Sequence, residues 1–320
     1  MARIKNYVPS GVIPACLLPF KADFSIDEAG LRKHLRDVGA VDGISAVTVN
    51  AHASEVASCT FDEQIRVMEI TGEVLGDRLP IVCGIYADGS FEAARLARMA
   101  ERTGASALLV FPSQTLGMGG ALRPEMALAH FKCIADATDL PMILFQYPQA
   151  TNVQYPLDTL LQLFEAVPTI RAIKDWCNDA MLHERQITTL QALARPINVL
   201  STHSSWLMSS LVMGCNGLLS GAGSVIADLQ VALWRAVQAD DLKQAKRINA
   251  RMLPMVQAFY APPFLDMHNR MKETLVLLGR LDQAVVRPPL MKLDATEIGR
   301  LKAAIEAAGI ARDGAFASAA

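Results

Sequence analysis

Aromatic residues make up only 6% of this 320-residue chain and charged residues only 19%. Neither sign of charge is in excess, because 30 Lys+Arg against 32 Asp+Glu leave −2 at pH 7. A chain without a basic face lacks the electrostatic footprint of a nucleic-acid binder, and one without a polybasic cluster lacks a membrane-surface anchor. Six cysteines, at 16, 59, 83, 133, 177 and 215, lie far apart in apolar surroundings and form no CxxC pair. That pattern reads as buried free thiols in a reducing compartment, so a cytoplasmic protein is expected. Pro9 and Pro14 interrupt what would otherwise be the apolar core of a signal peptide. The longest stretch free of Asp, Glu, Lys and Arg, 196–227, is broken by Ser204, Ser205, Gly214, Asn216, Gly217 and Ser220. A membrane span needs about 20 mainly apolar residues, so this stretch reads as buried strand and helix. HExxH, HxH, clustered carboxylates and GxxxxGK[ST] are all missing, so neither a metal site nor a bound cofactor is expected. Gly117, Gly119 and Gly120 lack the strand-to-helix setting of a phosphate loop and are expected to form a flexible loop over the site.

What is abundant is apolar residues, at 52%, enough for a large buried core. Short apolar runs fall at 11–19, 43–50, 79–85, 107–112, 141–147, 169–176, 197–203 and 217–221. They are bounded by Gly, Pro, Asn or Ser and are too short for helices. Several are rich in Val, Ile and Leu on both faces, as strands covered on both sides must be. Amphipathic helical patterns lie between them, as at 61–75, 91–102 and 156–167. Ser25, Thr60 with Glu63, and Ser90 stand as helix caps, and Gly76 and Gly104 as stops. A β–α unit repeated about eight times predicts a closed (β/α)8 barrel over 1–230. The alternative, an open doubly wound sheet, calls for a GxGxxG turn after the first strand, where this chain has Leu17-Leu18-Pro19-Phe20. Three further helices (241–258, 264–278 and 294–308) make a C-terminal helical region over 231–312, and 313–320 are expected to fray.

In such a barrel chemistry occurs at the C-terminal strand ends. Lys174 closes the sixth run. Alternation puts it on the face of Ile170 and Ala172, opposite Ile173, and so into the barrel mouth. A desolvated lysine loses its proton more easily, and its neutral amine can attack a carbonyl to form a Schiff base. An ion pair with Asp175 is the competing role. His52 and His203 also end strands, and each can serve either as a site residue or as a structural hydrogen bonder. The remaining histidines fall in helical patterns and are expected to face solvent or pack.

Taken together, these segments resemble the dihydrodipicolinate synthase / N-acetylneuraminate lyase family of class I aldolases, over about residues 9 to 309. The resemblance is carried by Gly11-Val12-Ile13-Pro14-Ala15 with Pro19-Phe20, by Ala51-His52-Ala53-Ser54-Glu55 followed by Phe61-Asp62-Glu63, and by Ile173-Lys174-Asp175. Met271-Lys272-Glu273-Thr274-Leu275 and Arg287-Pro288-Pro289-Leu290 complete it. It implies a barrel with a helical extension, usually homotetrameric, that binds pyruvate or a related 2-oxo acid as an imine on Lys174. Members then make or break a carbon–carbon bond, often with an aldehyde, or eliminate water.

The departures from the family are equally specific. The family's proton-relay tyrosine falls on Phe145, and its two hydroxyl residues before Gly-Glu fall on His52 and Ala53. Its interface tyrosine falls near Ser113 or Gln114, which leaves room for a homodimer. The arginine that clamps the aldehyde's carboxylate falls on Ala150, and the glycine-acid stretch after the seventh strand reads Thr202-His203-Ser204. The expected site is therefore Lys174 with His52 or Tyr147 moving protons, and His203 as a further candidate. Backbone N–H groups at Ala53 and Ser54 would hold a carboxylate, and Phe145 and Leu219 would touch substrate. A class I lyase that is not a true dihydrodipicolinate synthase follows. The alternative is a non-catalytic 2-oxo-acid-binding or regulatory protein on the same scaffold.

Overall fold

The computed structural model describes residues 4–311; the stretch 313–320 expected to fray lies outside the described residues. Eight parallel strands lie in the order β1-β8-β7-β6-β5-β4-β3-β2. They are β1 (Gly11–Pro14), β2 (Val47–Val49), β3 (Ile81–Ile85), β4 (Ala107–Val110), β5 (Met142–Gln146), β6 (Ile170–Asp175), β7 (Asn198–Ser201) and β8 (Gly217–Ser220). Bridges Val12↔Ile44 and Ala15↔Thr48 join β1 to the β2 side and close the ring. Helices α1 (Glu28–Gly39), α2 (Phe61–Leu75), α3 (Ser90–Arg102), α4 (Pro124–Ala135), α5 (Leu157–Ala166), α6 (Ala180–Gln191), α7 (Leu207–Val212) and α8 (Gly223–Gln238) alternate with the strands. The protein is thus a (β/α)8 barrel, with α9 (Leu242–Phe259), α10 (Met267–Leu277) and α11 (Ala295–Ala308) packed on it. Helix α8 runs across residue 230, where the sequence pattern placed the end of the barrel.

Strand residues are buried on both faces, as their unbroken Val, Ile and Leu runs require. The first apolar run is longer than its strand because the ladder leaves it after Pro14. Cys16 N–H then donates to Thr48 O, and Leu17 N–H to His34 Nε2 and Ser224 Oγ. Thr60 and Glu63 form the expected capping box of α2. Two caps sit elsewhere than the sequence pattern placed them. Asp27 caps α1 while Ser25 bonds Asp23, and Ser90 is the first residue of α3, its hydroxyl 3.0 Å from His130 Nδ1. Gly84 is required where β3 passes the end of β2, because a Cβ there would lie 1.9 Å from Asn50 O. Among the described residues no helix is long and apolar enough to cross a membrane.

One buried ion pair fastens α10 to the barrel mouth, and a second, partly buried, ties α10 to α11. Glu55, in the left-handed region between two short 3-10 turns after β2, pairs with Lys272 of α10 and accepts Arg287 N–H at 3.0 Å. Arg287 also reaches Glu63 of α2 and the carbonyls of Phe24 and Ser58. Arg270, fully buried, pairs with Glu297 and donates to the carbonyls of Phe259, Ala261, Pro262 and Pro263. It therefore fixes the turn that carries Tyr260 and Phe264 over the strand ends.

Candidate active site

A narrow cavity of about 50 Å³ opens at the C-terminal strand ends. Ala51, His52 and Ala53 after β2, Phe145 of β5, Lys174 of β6 and Gly221 after β8 form its floor and walls. Trp176 and Thr202 stand beside them, and Tyr260, Phe264, Met267 and His268 descend from the C-terminal region. Lys174 reaches the cavity because residues alternate along β6, and it is 6% exposed. Strand register sets it opposite Phe145, whose ring centroid lies 4.0 Å from Nζ. Burial away from water pushes its pKa from 10.5 down to about 7. The ion pair with Asp175 does not form. Asp175 points to the other side of the strand, where it accepts Cys177 N–H and meets His183 Nδ1 at 2.6 Å.

His52 Nε2 lies 2.9 Å from the Tyr147 hydroxyl. Rings crowd the pair: Phe111 stands 4.7 Å from His52, and Phe145 4.7 Å from Tyr147. Burial and the neighbouring Lys174 push His52 down to about 3, so it does not titrate near neutrality as an exposed imidazole would. Burial raises Tyr147, which keeps its proton. The two side chains thus form a neutral hydrogen-bonded pair beside the amine.

The remaining expected residues are dispersed. Ser54 Oγ donates to Cys16 O and its N–H to Ala51 O, so that amide is committed, whereas Ala53 N–H has no hydrogen-bond partner among the described residues. Leu219 is buried in β8 and does not line the cavity. His203 lies behind the wall: Nε2 accepts Asn178 N–H at 3.1 Å, the ring stacks on Trp206 at 4.1 Å, and burial lowers its pKa to about 4.

With Asp175, Cys177 and His183, His203 completes a buried group whose donor atoms all lie within 4.8 Å of one another. These are metal-ligand types, but they are already engaged. Burial lowers His183, but Asp175 and Cys215 together more than offset it, so it stays protonated to about 9, and its Nε2 meets Ser210 Oγ at 2.7 Å. The group braces the ends of β6 and β7 against α6 and α7.

Tyr260, Phe264, Met267 and His268 were not foreseen. Phe259, Tyr260 and Phe264 fall within six residues beside Pro262 and Pro263, in a chain otherwise poor in aromatics. That clustering was the available signal. Phe264 stacks on Trp176 at 5.3 Å and on Tyr260 at 5.7 Å, forming an aromatic roof.

A family model described as the dihydrodipicolinate synthetase family matches residues 8–308. The chain belongs to this family. Among relatives of the dihydrodipicolinate synthetase family, the 4-hydroxy-tetrahydrodipicolinate synthase of Kineococcus radiotolerans is 30% identical over 305 residues, covering 94% of this chain and 93% of that protein. A putative dihydrodipicolinate synthetase from Pseudomonas aeruginosa superposes with a TM-score of 0.84 at 22% identity, over 94% of this chain and 99% of that one. A structure described as a monomeric dihydrodipicolinate synthase variant gives 0.83 at 20% identity, over 95% and 98%. The chain therefore carries the scaffold of family lyases, which is the fold the structure displays.

Proposed function

We propose that this protein is a class I lyase that binds pyruvate or a related 2-oxo acid as an imine on Lys174. The observation carrying this reading is a buried lysine amine at a strand end, with no ion-pair partner among the described residues and a pKa of about 7. The neutral amine attacks the ketone carbon, and the carbonyl oxygen takes up a proton to give a carbinolamine. Loss of that hydroxyl as water, with a proton supplied from the Tyr147–His52 pair, leaves the iminium. The open Ala53 N–H is the donor available to the substrate carboxylate. Aldol cleavage, condensation or dehydration then proceeds from the enamine, without a cofactor.

The partner substrate is an aldehyde without an anionic group of its own. Among the described residues Lys174 is the one Lys or Arg side chain lining the cavity, and Ala150, at the family's clamp position, carries no charge. This composition argues against the dihydrodipicolinate synthase reaction and for a less polar second substrate under the Trp176–Phe264 roof. The working form is a homotetramer or homodimer in the cytoplasm, consistent with six free thiols.

Borohydride reduction in the presence of pyruvate and other 2-oxo acids, followed by peptide mass analysis, tests the reading. An adduct on Lys174 that disappears in Lys174→Met is expected. No adduct across the panel, with binding that survives Lys174→Met, would establish the non-catalytic alternative instead.

A further inference from the structure

Resting on the imine reading, we infer that His268 is the base that moves the C3 proton of the oxo acid held by Lys174, converting iminium to enamine and back. The step needs a lone pair on a basic atom in or beside the cavity; the Thr202 and Tyr260 hydroxyls that line it are poor bases while they keep their protons. Phe145 has no lone pair. Tyr147 is a buried phenol that keeps its proton. Tyr147, keeping its proton, donates it to His52 Nε2, so the imidazole carries its own hydrogen on Nδ1 and has no free lone pair. His268 lines the cavity from the first turn of α10, and neither of its ring nitrogens has a hydrogen-bond partner among the described residues. A neutral imidazole always carries one unprotonated nitrogen, so a base is available there.

The ring's approach is built into the fold. A Cβ at Gly221 would stand 3.1 Å from His268 Nε2 and 3.6 Å from Met271 Sδ, so the missing side chain at the end of β8 makes the room. Asp266 at the start of α10 bonds Asn269 Nδ2 (3.4 Å) and not the imidazole, and the Lys272–Glu55 pair, one helical turn further on, fixes the helix to the barrel. Burial first, with His52, Lys174 and the Glu55-paired Lys272 near it, holds His268 well below 6.5, so it meets substrate as the free base.

The step balances. His268 takes a proton from C3, the C–H electron pair becomes the C2–C3 double bond, and the iminium π electrons return to the lysine nitrogen. The imidazolium so formed returns a proton to C3, or to an aldehyde oxygen when a new carbon–carbon bond forms.

Pyruvate in D2O supplies the test, since enamine formation replaces methyl protons with deuterium, visible by proton NMR. Cyanoborohydride trapping on Lys174 reads imine formation separately. In His268→Gln the exchange should fall by about a hundredfold or more, with the trapped adduct at the wild-type level. Added imidazole should restore part of the exchange in His268→Ala and none in Lys174→Met. An exchange rate in His268→Gln within twofold of wild type, with the adduct intact, overturns the assignment and leaves the imine standing. Loss of adduct and exchange together would make His268 a pocket-building residue and likewise overturn it. No adduct in the wild type with pyruvate or any other 2-oxo acid of the panel removes the imine reading, and this role with it.

Discussion

Lys174→Met should make the protein more stable at neutral pH while abolishing imine formation. Holding a lysine at about 7 instead of 10.5 corresponds to about 5 kcal/mol of preference for the neutral amine. The Phe145 ring under Nζ acts the other way, since a cation over an aromatic face gains roughly 0.5–2 kcal/mol. Desolvation is the larger effect. Between pH 7 and 10.5 the unfolded chain binds more protons at this position than the folded one, so the wild type gains stability as pH rises through that window. Its deficit against the methionine variant is therefore about 4 kcal/mol at pH 7, shrinking to about 1 kcal/mol near pH 10. For a chain of this size the neutral-pH difference is a rise in Tm of about 6 °C. Urea unfolding of both proteins at pH 7 and pH 10 measures it. The same amine is about half neutral at pH 7, against roughly one in three thousand for an ordinary lysine. Trapping rates should therefore level off just above pH 7. A methionine variant less stable than wild type at pH 7, with a trapping midpoint near pH 10, would refute the reasoning.

Lys272→Met strands Glu55 as an unpaired buried carboxylate and should cost about 3–5 kcal/mol in urea unfolding, most of it recovered by adding Glu55→Gln. Tyr147→Phe removes the hydroxyl that meets His52 and should slow adduct formation by about a hundredfold, measured by cyanoborohydride trapping, with the fold unchanged by circular dichroism. Gly221→Ala places a methyl against His268 and should slow deuterium exchange into pyruvate by less than His268→Gln does, with unchanged adduct formation; a normal rate would show that the ring's approach is not critical.

The barrel was legible because its two periods are physically different. Strands covered on both faces read as unbroken Val, Ile and Leu runs, and the helices between them repeat with a 3.6-residue stripe. Lys174 was legible for the same reason, since alternation along β6 gives its direction once Ile173 is set outward. The fate of Asp175 was not. Adjacent residues in a strand point to opposite faces, yet only the structure shows that His183 and the Cys177 amide wait on the far side. His268 was invisible for a different reason, and Phe264 showed only as part of an aromatic cluster. The helix of His268 carries an ordinary amphipathic pattern, and what brings both residues to the strand ends is a set of bonds to other segments, Arg270 to four carbonyls and Lys272 to Glu55. No local period encodes such a contact.

Those same bonds separate the residues that hold the fold from the residues that line the cavity. Several of the segments that carry the resemblance act as fasteners. Glu55 pairs with Lys272, and Glu63 pairs with Arg287, which also binds the carbonyls of Phe24 and Ser58. The first pair is buried, so losing either of its partners leaves an expensive unpaired charge; the second is half-buried and charge-assisted. Such positions resist change for reasons of stability, whatever the substrate. The cavity walls are under no such constraint. Phe145 and His52 line the cavity without joining either ion pair. The fasteners hold α10 against the mouth, so a histidine placed on it can face Lys174 without any change in the strands. New acid–base chemistry can thus enter from the C-terminal helices while the barrel keeps its lysine.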